Sequence, residues 1–148
     1  MAEKKHGFPV LDPQELEPRR GTTAYPEEYR APFDGRVKRA LGNALGLTQF
    51  GVNLTTLEPG AESALRHWHV KEDEFVYVLE GEITLVTEAG ETLLTAGQVA
   101  GFPAGVEDGH QLVNRSGAPA SYLEIGSRFP EDEAFYPDVD LHVVKRDG

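Results

Sequence analysis

The chain has 148 residues and a formal net charge of -11 at pH 7, which comes from 14 Lys and Arg residues against 25 Asp and Glu residues. This length suits one domain with a single core, and the negative charge disfavours a nucleic-acid partner because it repels the phosphate backbone. The chain has no cysteines, which excludes disulfides, thiolate metal sites and cysteine nucleophiles.

The start of the chain, MAEKKHGFPVLD, lacks the apolar segment of a signal peptide. No apolar stretch approaches the roughly 20 residues that a membrane-spanning helix needs. We therefore expect a cytoplasmic protein with no membrane partner.

Residues 1–46 are rich in Pro, Arg and Glu and show neither sustained alternation nor a long helical stripe. We interpret them as an N-terminal arm that wraps the domain and contributes to a subunit contact. Within this arm, VKRALGNALGL is expected to form a short helical or irregular piece, because its glycines disfavour a long helix.

Residues 47–128 change to short β-rich segments separated by turn residues, which predicts an all-β barrel or sandwich. The connections are too short for crossover helices, so the strands should pair antiparallel. Residues 129–148 return to a loop-like composition, and their LHVV segment is a candidate edge strand. The predicted organisation is thus an arm, a barrel and a C-terminal tail.

The segment EFVYVLE, residues 74–80, is apolar on both faces of the strand that it predicts. Val76 and Val78 share one face, and Phe75, Tyr77 and Leu79 share the other. One face is expected to line the barrel interior. The other needs a cover, which the arm or a second subunit could supply.

Several residues of the types that bind metal ions lie in and around this strand. His67 and His69 are two residues apart and therefore project from the same face of an extended chain, and a hairpin would bring Glu74 back beside them. His110 follows a Gly- and Pro-rich turn at the start of another segment and adds a fourth candidate. Glu72 and Asp73 are alternative carboxylates.

Three imidazoles and one carboxylate suit a single divalent transition metal ion, namely Fe, Mn, Ni, Co or Zn. Such a set leaves coordination positions open for a substrate. The sequence therefore predicts a metal centre, although it does not predict which of these metals is bound.

Two segments resemble the signature motifs of the cupin superfamily. The segment from Gly60 to Gly81 contains His67, His69 and Glu74 and resembles the first motif; the segment from Gly97 to Asn114 contains His110 and resembles the second. The spacings from Gly60 to His67 and from Gly105 to His110 are both longer than usual. The resemblance is greatest to small single-domain bacterial cupins, some of which are named as candidate sugar-phosphate isomerases.

The resemblance implies a double-stranded jelly-roll β-barrel, often dimeric, with a metal in the barrel mouth. By motif position its ligands would be His67, His69, Glu74 and His110, and the step to Gly81 favours Glu74 over its two neighbours. A homodimer that acts on a small molecule is the expected state.

Two functions follow from this site. The first is an enzyme whose metal stabilises negative charge on the oxygens of a small substrate, in isomerase or epimerase chemistry or, with iron and O2, in dioxygenase chemistry. The second is a non-catalytic module that binds or senses a small ligand. The catalytic base is not identifiable from the sequence.

The predicted inward neighbours of the ligands, Val76, Val78 and Leu112, are apolar, while Arg66 and Arg115 have the wrong parity to lie beside them. This pattern favours a substrate with some hydrophobic surface over a strongly polar sugar phosphate.

Overall fold

The computed structural model of the chain describes residues 9–146, so the first eight residues of the predicted arm lie outside it. Twelve strands and one short α-helix are present in the described range, together with three 3-10 turns at Pro13–Glu15, Glu27–Tyr29 and Ala31–Phe33. The strands are, in chain order, β1 (Arg19–Arg20), β2 (Arg36–Ala40), β3 (Phe50–Leu57), β4 (Trp68–His69), β5 (Glu74–Glu80), β6 (Glu82–Thr87), β7 (Gly90–Thr95), β8 (Val99–Phe102), β9 (Gln111–Val113), β10 (Ala120–Ser127), β11 (Asp132–Tyr136) and β12 (Leu141–Lys145). The helix α1 is Leu41–Ala44.

The strands form three antiparallel sheets. The largest has six strands in the order β1-β2-β3-β10-β5-β8, and two three-stranded sheets have the orders β12-β11-β4 and β7-β6-β9. Isolated bridges join the segment between β3 and β4 to β9 and the residue before it, because Glu62 pairs with Val113 and His67 pairs with His110. The predicted all-β, antiparallel architecture is confirmed.

The core fills the space between the six-stranded sheet and the β7-β6-β9 sheet. Val76 and Val78 of β5 are buried there as predicted from their parity, and Leu57, Ile83 and Tyr122 are fully enclosed with them. Burial of this apolar surface stabilises the barrel, because each such side chain contributes roughly 1.5–3 kcal/mol.

The opposite side of the six-stranded sheet carries an exposed apolar surface, which we call the outer apolar face. Its most exposed members are 37–51% accessible in the isolated chain, and they are Phe50, Phe75, Tyr77, Leu79 and Val99. The cover predicted for this face of β5 is therefore not supplied by residues 9–146.

The arm differs in one respect from its interpretation as loop and helix. Its RVKRA segment forms β2, which pairs with β3 so that Arg36 lies opposite Leu57 and Lys38 opposite Thr55, and within VKRALGNALGL only Leu41–Ala44 is helical. Phe33, which is fully buried, anchors the segment before β2. The arm thus extends the main sheet. The division of the chain at residue 46 stays a prediction.

Candidate metal centre

The backbone brings the predicted ligands together by antiparallel pairing. His67 and His110 face each other across a narrow bridge, in which His67 N donates to His110 O at 3.1 Å and His110 N donates to His67 O at 2.9 Å. His69 follows on the same face as His67, and Glu74 begins β5 opposite Phe102 of β8. Residues 43 positions apart in the chain therefore share one site.

The four side chains converge on the Glu74 carboxylate. Glu74 Oε1 lies 2.7 Å from His69 Nε2 and 3.4 Å from His67 Nε2, and Glu74 Oε2 contacts His110 Nε2. One ligand atom from each of His67, His69 and Glu74 lies within 4.8 Å of the others. His110 completes the group through the second Glu74 oxygen.

Two of the imidazoles are oriented by acceptors on their far side. His67 Nδ1 donates to the Leu65 carbonyl at 2.7 Å, and His69 Nδ1 donates to Asp132 Oδ2 at 2.6 Å. In both rings Nδ1 carries the donated proton, so the lone pair of the neutral tautomer is on Nε2, the atom that faces the Glu74 carboxylate. This carboxylate–histidine arrangement is typical of metal-binding histidines.

Lone pairs that face a carboxylate require a cation between them. On His69 a proton meets this need: burial lowers its pKa, but Glu74 and Asp132 outweigh burial and raise the pKa to about 9. Burial favours protonation of Glu74, but hydrogen bonds from His110, His67 and His69 hold its pKa well below the usual range. The donor set therefore fits a divalent ion that replaces these protons.

His110 is held differently from the other two histidines. Its ring stacks on Phe102 with centroids 3.7 Å apart and planes within 1°, while its buried Nδ1 has no hydrogen-bond partner among residues 9–146. Burial lowers its pKa despite the hydrogen bond with Glu74. Stacking on Phe102, rather than an acceptor at Nδ1, thus orients this ring behind its contact with Glu74.

The alternative carboxylates have other partners. Asp73 Oδ1 accepts from Ala104 N at 2.8 Å, whereas Glu72 pairs with Lys145 and accepts from Phe129 N at 3.0 Å. Glu72 also lies near His69 and Asp132, on the Nδ1 side of the His69 ring. Glu74 is therefore the one of the three carboxylates that the three histidines surround.

A cavity of about 200 Å³ opens beside this cluster, and we call it the central cavity. Val76 and Leu112 line it as predicted, but its lining is more polar than the sequence indicates, because β2 contributes Arg36 and Lys38 and β10 contributes Glu124. Its small volume suits a small metabolite, since pockets for larger ligands enclose roughly 300–1,000 Å³.

Sequence reasoning missed several residues around the site. Asp132 lies in a segment interpreted as loop, and Arg36 and Lys38 lie in the arm. The alternation of RVKRA is the signal that could have placed Arg36 and Lys38 on one face. By contrast, Arg66 pairs with Asp138 and Glu88, away from the cluster.

A further aromatic pair closes the cavity on the side of the arm. Tyr25 OH lies 3.3 Å from Tyr136 OH, and the Tyr136 ring centroid is 5.5 Å from that of His67. Burial raises the pKa of both tyrosines, so both hydroxyls stay protonated. Tyr25 lines the cavity, and its hydroxyl donates to Tyr136 rather than into the cavity.

Comparison with known proteins shows extensive similarity. Residues 53–126 match the family described as the cupin domain. A protein from Silicibacter pomeroyi, described as a sugar phosphate isomerase from a cupin superfamily, is 49% identical; the match covers 93% of this chain and 87% of that chain, with a TM-score of 0.90. No match was found among curated proteins.

Two further structures extend the comparison. A candidate sugar phosphate isomerase from Acidithiobacillus ferrooxidans is 35% identical over 76% of this chain and 72% of that chain, with a TM-score of 0.73. A predicted oxalate decarboxylase from Thermotoga maritima is 20% identical over 81% of this chain and 99% of that chain, with a TM-score of 0.65, and shows the fold alone. Together with the sheet topology, these similarities confirm the predicted jelly-roll barrel.

Proposed function

The chain belongs to the cupin superfamily, and we propose that it is a metal-dependent enzyme that isomerises or epimerises a small, oxygen-rich substrate. The observation that carries this proposal is the convergence of three Nε2 atoms and a carboxylate beside a cavity, with His67 and His69 oriented from behind by Leu65 and Asp132. The description of the Silicibacter pomeroyi relative supports isomerisation and makes a phosphorylated sugar the first substrate class to test.

The proposed ligands are His67, His69, Glu74 and His110. Imidazole and carboxylate ligands accept Fe, Mn, Ni, Co or Zn in the divalent state. When bound, such an ion supplies Lewis acidity towards substrate oxygens and so favours proton loss from the adjacent carbon.

Glu124 is the proposed catalytic base. Its Oε1 atom accepts hydrogen bonds from Lys38 Nζ and Asn53 Nδ2, both at 3.2 Å, so the carboxylate is held while it lines the central cavity. In an isomerisation it would take the proton from the hydroxyl-bearing carbon and return it to the neighbouring carbonyl carbon, while the hydroxyl proton passes to the former carbonyl oxygen, so that no external oxidant or reductant is needed.

The proposal includes a homodimer that associates through the outer apolar face. Exposed aromatic and aliphatic side chains are concentrated there, in a chain whose net charge otherwise favours solvation. Among residues 9–146 no helix has the length and apolar character needed to cross a bilayer. A cytoplasmic location stays a prediction.

Elemental analysis of the purified chain tests the metal centre. We expect about one divalent transition metal ion per chain, and we expect His69→Ala and Glu74→Ala to lose it because each removes a ligand. His142→Ala is the matched control, since His142 is an exposed histidine that pairs with Glu133 outside the cluster. A wild-type chain that binds none of the five metals contradicts the proposal.

Turnover is tested with the metal-loaded chain and a panel of aldose and ketose phosphates in D2O. We expect deuterium incorporation and the isomeric product by NMR, and a loss of about a hundredfold or more in Glu124→Gln with the metal content unchanged. Metal binding without turnover would instead establish a non-catalytic ligand-binding module. Consumption of O2 by the iron-loaded chain would establish a dioxygenase.

A further inference from the structure

A second cavity, of about 300 Å³, adjoins the central cavity, and we call it the cationic cavity. Four basic residues line it, and the other residues of its lining in the described chain are uncharged, among them Asn43 and Asn53. The basic residues are Arg19, Arg36, Lys38 and Arg128. Because the chain carries a net charge of -11, this concentration of positive charge opposes the charge of the molecule as a whole.

The positive charge at this cavity is largely uncompensated. Arg36 is only 6% exposed, and its guanidinium donates to the carbonyls of Thr22, at 2.6 Å, and Ser63. Carbonyl oxygens satisfy N–H groups but do not neutralise the charge. Among residues 9–146 Arg36 forms no ion pair, and its guanidinium lies over the Phe33 ring, 5.2 Å from the centroid, so an aromatic face and carbonyl oxygens meet its charge rather than a carboxylate.

Arg128 adds a second such cation at the rim. Its Nη2 donates to Asn43 Oδ1 at 2.6 Å, and within the described part of the chain it forms no ion pair. Gly51 leaves room for it, because a Cβ there would lie 3.4 Å from Arg128 Nη2. Lys38 differs, since it pairs with Glu124 at 3.2 Å. An anion would therefore find two guanidinium groups that lack a carboxylate partner.

The cationic cavity connects with the ligand cluster through shared walls. Arg36 and Lys38 alternate along β2, so both side chains lie on the inner face of the sheet and line the central cavity as well. Arg128 and Glu74 together line a third cavity at the rim. A molecule anchored among the cations can thus extend towards Glu74 and the histidines.

We propose that the cationic cavity binds the phosphate group of a small phosphorylated substrate whose oxygen-bearing end reaches the ligand cluster. Guanidinium groups bind phosphate through paired, charge-assisted hydrogen bonds, and Arg36 and Arg128 have N–H groups in excess of those already bonded. The statement that the substrate reaches the ligand cluster rests on the proposed function. The statement that an anion binds in the cationic cavity rests only on the charges that line it.

Titration calorimetry with inorganic phosphate, D-ribose 5-phosphate and D-ribose tests the proposal on the full chain, both metal-loaded and treated with chelator. Arg36→Gln and Arg128→Gln should each weaken binding of the two phosphates by about ten- to a hundredfold, because each removes charge-assisted hydrogen bonds. D-Ribose binding should change by less than about twofold in the same variants, since it lacks the anion. The affinities for the two phosphates distinguish the two kinds of site: a site for the free anion binds inorganic phosphate at least as tightly, and a site for a sugar phosphate binds D-ribose 5-phosphate more tightly.

Arg39→Gln is the matched control, because Arg39 lies on the same strand with its side chain on the opposite face. It should bind both phosphates as the wild type does. Wild-type affinity for both phosphates in Arg36→Gln and Arg128→Gln overturns the proposal. If Arg36→Gln fails to fold, the affinity of Arg128→Gln for the two phosphates decides the test. Arg128 is exposed, so its substitution should leave the fold intact.

The titrations of the chelator-treated chain separate this proposal from the proposed metal function. Phosphate binding that persists without metal and depends on the two arginines supports the anion site even if no metal is found. Phosphate binding that needs metal and does not depend on the arginines overturns the anion site and leaves the metal function standing.

Discussion

Asp132 controls the orientation of one ligand candidate without belonging to the ligand set. Its Oδ2 accepts from His69 Nδ1 at 2.6 Å, and its Oδ1 accepts from Lys71 N at 2.8 Å. Burial would favour protonation, but the hydrogen bonds from Lys71 and His69 lower the pKa of Asp132, so it is ionised at neutral pH. A fixed anion on this side keeps His69 Nε2 directed at the Glu74 carboxylate.

We therefore predict that Asp132→Asn weakens metal affinity by about 10- to 100-fold. An Asn at this position can keep the bond from Lys71 N, but its amide nitrogen cannot accept the His69 proton. The measurement is a competition titration against a chromophoric chelator. Glu133→Gln, the neighbouring change outside the cluster, should bind metal like the wild type, and unchanged affinity in Asp132→Asn would contradict the role assigned to it.

At the scale of elements, the β5–β6 turn depends on a single glycine. Gly81 has a φ of 81°, and a Cβ there would lie 2.8 Å from Pro119 O and 2.9 Å from Ala120 Cα. This close approach keeps β5, which begins with Glu74, in register with β10. The turn is therefore part of what places the carboxylate.

Gly81→Ala is predicted to lower the free energy of unfolding by about 2 to 5 kcal/mol, from left-handed backbone strain together with the clash. Gly101→Ala is its control, because no atom lies within 4 Å of a Cβ at that position of β8. The control should change the free energy of unfolding by less than about 0.5 kcal/mol. Urea denaturation followed by fluorescence measures both, and equal midpoints for the two variants would refute the steric argument.

At the scale of the whole molecule, the two sides of the six-stranded sheet have opposite roles. The inner face supplies Glu74, Glu124, Arg36 and Lys38 to the cavities, whereas the outer apolar face is left for another surface. Exposed patches of this kind in soluble proteins commonly mark protein–protein contacts. A second copy of the chain is the partner that we propose.

Sedimentation velocity should accordingly show a dimer, and Tyr77→Lys should shift it towards monomer by weakening the dimer about tenfold or more, because a charge would be buried in the contact. Val143→Lys, at an exposed position of β12 in another sheet, should leave the dimer intact. A wild-type chain that sediments as a monomer contradicts this expectation.

Local patterns in the sequence determined the strands of the barrel and the parity of its ligand candidates. The segment EFVYVLE coincides with β5 and EITLVT with β6, because short runs rich in β-branched and aromatic residues that end at turn residues indicate strands. The two-residue step from His67 to His69 likewise requires a shared face in any extended conformation. These features depend only on neighbouring residues.

Tertiary structure alone decided what surrounds those ligands. The inner face of β2 carries Arg36 and Lys38 because it borders a cavity rather than the core, so the alternation of RVKRA turns its charged side inward, the reverse of a core strand. Asp132 and Arg128 reach the site from the end of the chain through β11 and β10. Such long-range pairing leaves no trace in local periodicity, and therefore the charge and the orientation of the site became visible only in the folded chain.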